Sequence, residues 1–235
     1  MTTRDPNAAM VARVAQALGD LRARVVFLGG AATGLLLTDP GAAPIRSTKD
    51  VDVIVEVGGI RAYRELEKTM QGLGFHPDQS EGAPLCRWRM SDLSIDVMPT
   101  DPKLLGFSNR WYPLAMAQAT WHPLPDGTTI RLVTAPCFLA TKLEAFRGRG
   151  KGDFLSSHDL EDVVSVLDGR VEVVEEIASS DPDLRCYLAE TFKSFLKDQR
   201  FLAAVQGHLP PDRASQARYP ALLERIRVLS DSVLD

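Results

Sequence analysis

The segment Lys49-Asp50-Val51-Asp52-Val53-Ile54-Val55-Glu56-Val57 places two aspartates two residues apart in a run of β-branched residues. Side chains of a strand alternate faces, so Val51, Val53, Val55 and Val57 make one apolar face. Asp50, Asp52, Ile54 and Glu56 point the other way, with the two aspartates about 6–7 Å apart. Carboxylates so placed repel one another, and aspartate is disfavoured in strands. The pattern therefore calls for a positive partner. A divalent cation is the usual one, since Mg²⁺ takes one or two carboxylates and leaves room for substrate phosphates. A third acid arrives in Leu93-Ser94-Ile95-Asp96-Val97, where Asp96 lies opposite the apolar Leu93, Ile95 and Val97. Three carboxylates clamping two ions about 3.5–4 Å apart can drive in-line attack on phosphorus. The plainer alternative is that these acids cap strand ends or face solvent. It fits Asp96 alone better than it fits the Asp50/Asp52 pair.

Two further groupings bear on phosphate chemistry. Gly29-Gly30 ends the short apolar run Val25–Leu28. Glycine lets backbone approach a phosphate, and a following helix offers N–H donors; equally, the pair is a tight strand-to-helix turn. Downstream, Phe138, Lys142 and Phe146 fall at i, i+4 and i+8 on one helical stripe. A lysine in an apolar stripe either snorkels to water or meets a buried anion. Asp159 and Asp162 follow in His158-Asp159-Leu160-Glu161-Asp162-Val163. A capping box from Ser156-Ser157 explains Asp159 but not Asp162, one turn on. Between these helices, Arg147-Gly148-Arg149-Gly150-Lys151-Gly152-Asp153 is a basic, glycine-rich loop that suits phosphates of NTP or RNA.

The elements that must carry these residues can be read from the pattern. Asp5-Pro6 reads as a helix start, with Met10, Val14, Leu18 and Leu21 at helical spacing. Val25–Leu28 reads as a buried strand, Ala31–Leu37 as a short helix, Thr38–Ser47 as a loop and Val51–Val57 as a strand. Arg61–Gly72 is helical, Leu85–Met90 and Leu93–Met98 form a hairpin about Ser91-Asp92, and Thr120–Leu124 and Thr128–Thr134 flank the turn Pro125-Asp126-Gly127. From Pro136 the signal is helical: Ala135 to Arg147 with Gly148 as the closing residue, then charge-balanced helices to the end, broken at Pro210-Pro211 before Tyr219–Leu229. Strands dominate residues 1–134 and helices 135–235. The fold class is α+β, a mixed β-sheet flanked by helices and followed by a mostly helical C-terminal part.

The order strand, Gly29-Gly30, helix, Arg46-x-Thr48-x-Asp50-x-Asp52, then Asp96 on a later strand resembles the polymerase-beta-type nucleotidyltransferases. More narrowly, with Thr141-Lys142-Leu143-Glu144-Ala145-Phe146-Arg147 and the later Asp159/Asp162 pair, it resembles the AbiEii/MenT-like minimal nucleotidyltransferases, over roughly residues 20 to 170. One departure is the gap from Gly30 to Asp50, 19 residues and longer than usual; the excess fits the Asp39–Pro44 loop. The resemblance implies Mg²⁺ (or Mn²⁺) on Asp50, Asp52 and Asp96, with Asp96 also deprotonating the acceptor. It implies nucleotide contacts from Gly29, Gly30, Arg46, Thr48 and Lys142, with Asp159 and Asp162 as the second acidic motif. The implied activity is transfer of a nucleoside monophosphate from an NTP to an acceptor hydroxyl. RNA or tRNA is the expected acceptor, a toxin–antitoxin pair the expected setting and a cognate antitoxin the expected partner.

Composition limits the alternatives. In 235 residues, 45% hydrophobic and 25% charged, there is enough apolar material for a core without staples. Net charge is −4, which argues against a generally basic nucleic-acid coat protein. The mean hides a stretch from Lys103 to Lys151 with seven Lys/Arg and only Asp126 and Glu144, which suits a phosphate-bearing partner. Cys86, Cys137 and Cys186 are odd in number and scattered, as reduced thiols are, and four scattered histidines do not indicate zinc. Val25–Leu37 is too short and glycine-rich to span a bilayer, and Met1–Asn7 lacks a leader pattern. A soluble, cytoplasmic enzyme is expected. A non-catalytic nucleotide- or partner-binding module on the same fold is the alternative, as is a nucleotidyltransferase acting on a protein or small molecule. A Rossmann-type cofactor site is set aside, because Gly29-Gly30 lacks a third glycine and two acids follow too closely.

Overall fold

The structure, a computed structural model, describes residues 5–150 and 152–231. Lys151 of the basic loop and residues 1–4 of the leader reading lie outside the described residues. The chain divides into two compact units, one of residues 1–35 and 46–134, the other of residues 36–45 and 135–235.

The first unit is built on a seven-stranded mixed sheet. Its strands are β1 (Val25–Leu28), β2 (Val51–Val55), β3 (His76–Pro77), β4 (Arg87–Met90), β5 (Leu93–Pro99), β6 (Thr120–Pro123) and β7 (Thr129–Leu132), ordered β3-β4-β5-β2-β1-β7-β6. β2 pairs antiparallel with β1 and parallel with β5, so these three largely apolar strands lie together in the sheet, away from its edges. Val51, Val53 and Val55 are buried as the alternation requires, and Ile54 on the acidic face is buried too. The helices of this unit are α1 (Ala8–Ala17), α2 (Ile60–Gly72), α3 (Pro102–Leu105) and α4 (Tyr112–Gln118).

Several boundaries differ from the sequence reading, for identifiable reasons. β2 stops at Val55, two residues short of Val57. Gly30–Leu36 winds as a 3-10 helix. α1 starts at Ala8, not at Pro6; Asp5 still caps the start, its carboxylate accepting from the backbone N–H groups of Asn7 and Ala8, while the Asn7 side chain is engaged elsewhere. β3, α3 and α4 have no counterpart in the sequence reading, being short and lacking a clear period.

The second unit holds α5 (Ala135–Arg149), α6 (His158–Gly169), α7 (Val173–Ala178), α8 (Pro182–Phe195), α9 (Gln199–His208), α10 (Arg213–Gln216) and α11 (Tyr219–Asp231). Gly148 lies inside α5. Gly150 is the residue that closes it, since its N–H donates to the Phe146 carbonyl and a Cβ there would meet the Phe146 ring at 2.3 Å. Phe146, Phe154, Phe195 and Phe201 stack in one aromatic cluster with centroids 5.1–5.8 Å apart. Ser157 caps α6, accepting from the Leu160 N–H. No helix among the described residues is long and apolar enough to cross a membrane.

The loop at residues 36–45 belongs to this unit because polar bonds tie it there. The N–H groups of Thr38 and Asp39 both donate to the Gly169 carbonyl, and Arg170 donates to that of Leu36. Arg218 bridges Asp39 (2.6 Å) and the buried Asp168 (2.8 Å). Removing the guanidinium leaves a buried carboxylate without its strongest bond. Arg218→Met should therefore lower stability by about 1.5–3 kcal/mol and open residues 36–45 to proteolysis. Denaturant unfolding and limited digestion check this; an unchanged midpoint and digestion pattern would show that the loop is held by something else.

Candidate functional site

Strand register brings the predicted acids together. Asp52 pairs directly with Asp96 across the parallel β2/β5 ladder, so the two carboxylates sit side by side on one face, one strand spacing apart. Asp50 immediately precedes β2 and shares their face, two residues before Asp52. Across the antiparallel β4/β5 ladder, Arg87 is the register partner of Asp96 and joins the same face. Its Nε and Nη2 donate to both oxygens of Asp96 at 2.8 Å, and Nη2 also donates to Asp50. Hydrogen bonding to Asp96 pushes the Arg87 guanidinium pKa up, against the opposing effect of burial. The positive partner that the acidic strand called for is thus supplied by the chain itself. Sequence reasoning missed it, although a signal existed: in Arg87-Trp88-Arg89-Met90 the arginines alternate with a buried tryptophan, which sends them to the acidic face.

The donor types suit a hard divalent cation, but their present arrangement does not make a site for one. Among the described residues, no group of three or more His, Cys, Asp or Glu could hold a metal ion. Arg87 occupies oxygens of Asp50 and Asp96 that such an ion would need. Neighbouring Cys86 offers no substitute chemistry. Burial, with Asp96 and Asp52 nearby, pushes its thiol pKa up to about 12, so it stays protonated and a poor nucleophile.

The glycine turn lies against these acids because β1 runs antiparallel to β2, with Leu28 opposite Asp52. Gly29 has φ +72°, and a Cβ there would sit 1.8 Å from Asp52 Oδ2. A Cβ on Gly30 would lie 2.4 Å from Arg46 Nη2 and 2.8 Å from Thr48 Cγ2. Both glycines are thus required by side chains packed over the turn: Asp52 over one, Arg46 and Thr48 over the other. Asn7, 1% exposed, fixes that arrangement from a distance in sequence. Its Nδ2 donates to the Arg46 carbonyl and its Oδ1 accepts from the Thr48 N–H, while the Thr48 hydroxyl donates to the Asp50 carbonyl. No pattern in the sequence marks Asn7 for this task.

Lys142, Asp159 and Asp162 are brought together in the second unit. Lys142 does not snorkel: it is 7% exposed, and its Nζ lies 2.6 Å from Asp162 and 3.3 Å from Asp159. Arg149 grips Asp159 through two bonds of 2.8 and 2.9 Å. Burial alone would raise the Asp159 pKa, but Arg149 and Lys142 outweigh it and hold the carboxyl below its usual value. The sign follows directly. Asp159 stabilises the fold fully above its unfolded pKa of about 3.9, and that contribution fades as pH falls through the lowered folded value.

Several arginines of the basic stretch have partners within their own unit. Arg110 lies over the Trp111 ring, Arg131 donates to the Met116 carbonyl, and Arg147 bonds Thr191 and lies over Tyr187.

No family model matches the chain, and no curated protein matches it. Two solved structures from Helicobacter pylori are similar to it. JHP933 has 11% identity, with 99% of this chain and 94% of that one covered, at a TM-score of 0.47. A protein described as a putative nucleotidyltransferase has 12% identity, with 99% and 97% covered, at a TM-score of 0.45. At those scores neither likeness carries weight for function, which rests on the geometry above.

Two outcomes follow from that geometry. Gly29→Ala places a methyl on Asp52 in a left-handed conformation, so it should cost about 1–3 kcal/mol in denaturant unfolding; wild-type stability would mean that Asp52 does not lie on this glycine. Lys142→Met takes the cation from two buried carboxylates. It should cost about 3–5 kcal/mol at neutral pH and weaken the fall in stability below about pH 4. Melts across pH 2–7 check it, and a cost under about 0.5 kcal/mol would return Lys142 to the surface.

Proposed function

We propose that the chain is a nucleotidyltransferase that moves a nucleoside monophosphate from an NTP to an acceptor hydroxyl. The observation that carries this is the register pairing of Asp52 with Asp96, with Asp50 on the same face and Gly29-Gly30 turned beneath Asp52 and Arg46. Such a site gathers three acids and two arginines, Arg46 and Arg87, around a glycine turn, donors and charges of the kind a metal-bound polyphosphate takes. In the transfer, the acceptor oxygen bonds the α-phosphorus as the bond to the β-phosphate oxygen breaks, and pyrophosphate departs. Asp96 takes the hydroxyl proton, directly or through water. Arg46 offsets phosphate charge, and Thr48 holds the backbone at Asp50. Asp52, with Asp50 and Asp96 once released by Arg87, are the residues that would hold a divalent cation, Mg²⁺ or Mn²⁺, which would supply the charge neutralisation that phosphoryl transfer depends on.

Lys142, Asp159 and Asp162 enter as the cluster that anchors Arg149, whose side chain is 72% exposed and available to a polyanion. RNA is the acceptor we propose, with a tRNA 3′ end as the example. The AbiEii/MenT-like resemblance supports this, along with a toxin–antitoxin setting and a cognate antitoxin as partner. One observation favours a second reading, a binding module without turnover: Arg87 already neutralises two of the three acids.

The test is transfer of α-labelled NTP, with Mg²⁺, to total RNA, protein and small hydroxyl acceptors. Asp50→Asn with Asp52→Asn should lower transfer by about 10²-fold or more while keeping a cooperative melt. Wild-type turnover in the double variant would remove both residues from the mechanism. Absence of transfer to any acceptor, with NTP binding retained, would establish the binding module instead.

A further inference from the structure

The arginine that neutralises the acidic face carries a consequence for the cation that face would bind. Arg87 is held at both ends. Its backbone N–H donates to the Pro84 carbonyl, its own carbonyl accepts from the Asp78 N–H, and its register partner is Asp96. From there the guanidinium meets Asp96 through two parallel bonds and reaches Asp50 through Nη2. This two-toothed geometry is the strong form of a carboxylate ion pair. Yet the group is not sealed in, for the side chains of Arg87, Asp50 and Asp96 are 25%, 29% and 10% exposed. Water reaches the Asp50 end of the pair, whereas Asp96 is buried, so a guanidinium that leaves it must be replaced there by another cation.

We propose that Arg87 is an internal competitor for divalent cations: a metal ion takes the oxygens of Asp50 and Asp96 only as Arg87 releases them. The inference rests on the nucleotidyltransferase reading for its choice of ligand, and on the geometry for everything else. Both Asp96 oxygens accept from Arg87, and the same lone pairs cannot bond a guanidinium and coordinate a cation at full strength. Binding is reciprocal, so whatever Arg87 costs the metal, the metal costs the ion pair. The face therefore has two states, one closed by arginine and one opened by metal. Without metal, Arg87 holds two of the three like charges together. Arg87→Gln removes the competitor and keeps a polar chain of similar length. Arg87→Lys keeps the charge but loses the parallel pair of bonds.

Mn²⁺ titrations monitored by calorimetry and electron paramagnetic resonance, on the intact chain without nucleotide, test this directly. Arg87→Gln should bind Mn²⁺ about tenfold or more tightly than wild type, with Arg87→Lys between them. Melting should show the reverse order without metal and a larger rise of the variant's Tm with Mn²⁺. Should Arg87→Gln fail to fold, the wild-type protein still decides the matter. Its Arg87 Nε–H resonance, protected by Asp96, should shift or be lost as Mg²⁺ is added. Equal or weaker Mn²⁺ binding by Arg87→Gln, or an Arg87 resonance indifferent to saturating Mg²⁺, would overturn the proposal and leave the carboxylate site standing. If neither wild type nor Arg87→Gln binds Mn²⁺, both the competition and the metal-dependent reading fall.

Discussion

Like charges set side by side on one sheet face are the constraint from which the first unit is arranged. Two carboxylates about 5 Å apart repel by about 3 kcal/mol at an effective dielectric of 20, and here Asp50, Asp52 and Asp96 share a face. A strand pair so loaded would slip or splay without compensation. The central position of β2, between β1 and β5, prevents the slip, because a shift of one residue would turn Val51, Val53 and Val55 out of the core. Arg87 offsets the repulsion from the neighbouring β4. The hydrophobic register thus holds the charges in place, and the arginine makes the register tolerable.

The same constraint reaches the turn that follows β1. Asp52 must lie over something, and it lies over Gly29, where any side chain would collide with it. Arg46 and Thr48 need the space above Gly30 in the same way. The approach of residues 46–48 is then fixed by Asn7 just ahead of α1, which bonds the backbone of both Arg46 and Thr48. The Asn7 side chain is free of capping duty because Asp5 caps the start of α1, accepting from the N–H groups of Asn7 and Ala8.

What the sequence made legible were the features with a short period. The valine alternation of β2, the hairpin at Ser91-Asp92, the long helices α5 and α8 and the common face of Asp50 and Asp52 all repeat within a few residues. What it concealed depends on which strands become neighbours. The pairing of Asp96 with Asp52 joins residues 44 positions apart, and nothing local states that β5 lies beside β2 in parallel. Arg87 could be placed on a polar face, but its meeting with Asp50 depends on β4 lying next to β5 and on Asp50 reaching past Asp52. Asn7 and the strap of residues 36–45 are likewise long-range polar bonds with no periodic signature. The glycine turn was legible as a turn, but the side chains that demand it were not.

Two ion networks, one in each unit, show how burial divides structural from exchangeable charge. Around Lys142, the side chains of Lys142, Asp159 and Asp162 are 9%, 7% and 2% exposed. Charges so enclosed have lost most of their hydration, so separating them strands each in a medium of low dielectric, and the pairing is in effect permanent. Around Arg87 the same chemistry is enclosed on one side only: Asp96 is buried at 10% exposure, while Arg87 and Asp50 are 25% and 29% exposed. There, water can rehydrate the Asp50 end of a broken pair, while Asp96 keeps its need for a cation. A lysine cluster that cannot let go suits a scaffold; an arginine that can suits a site whose charge must be handed to an incoming ligand. It is the depth of each network, more than the identity of its residues, that sets how readily its charges part: the Lys142 cluster is enclosed throughout, and the Arg87 network is open to water on the Asp50 side.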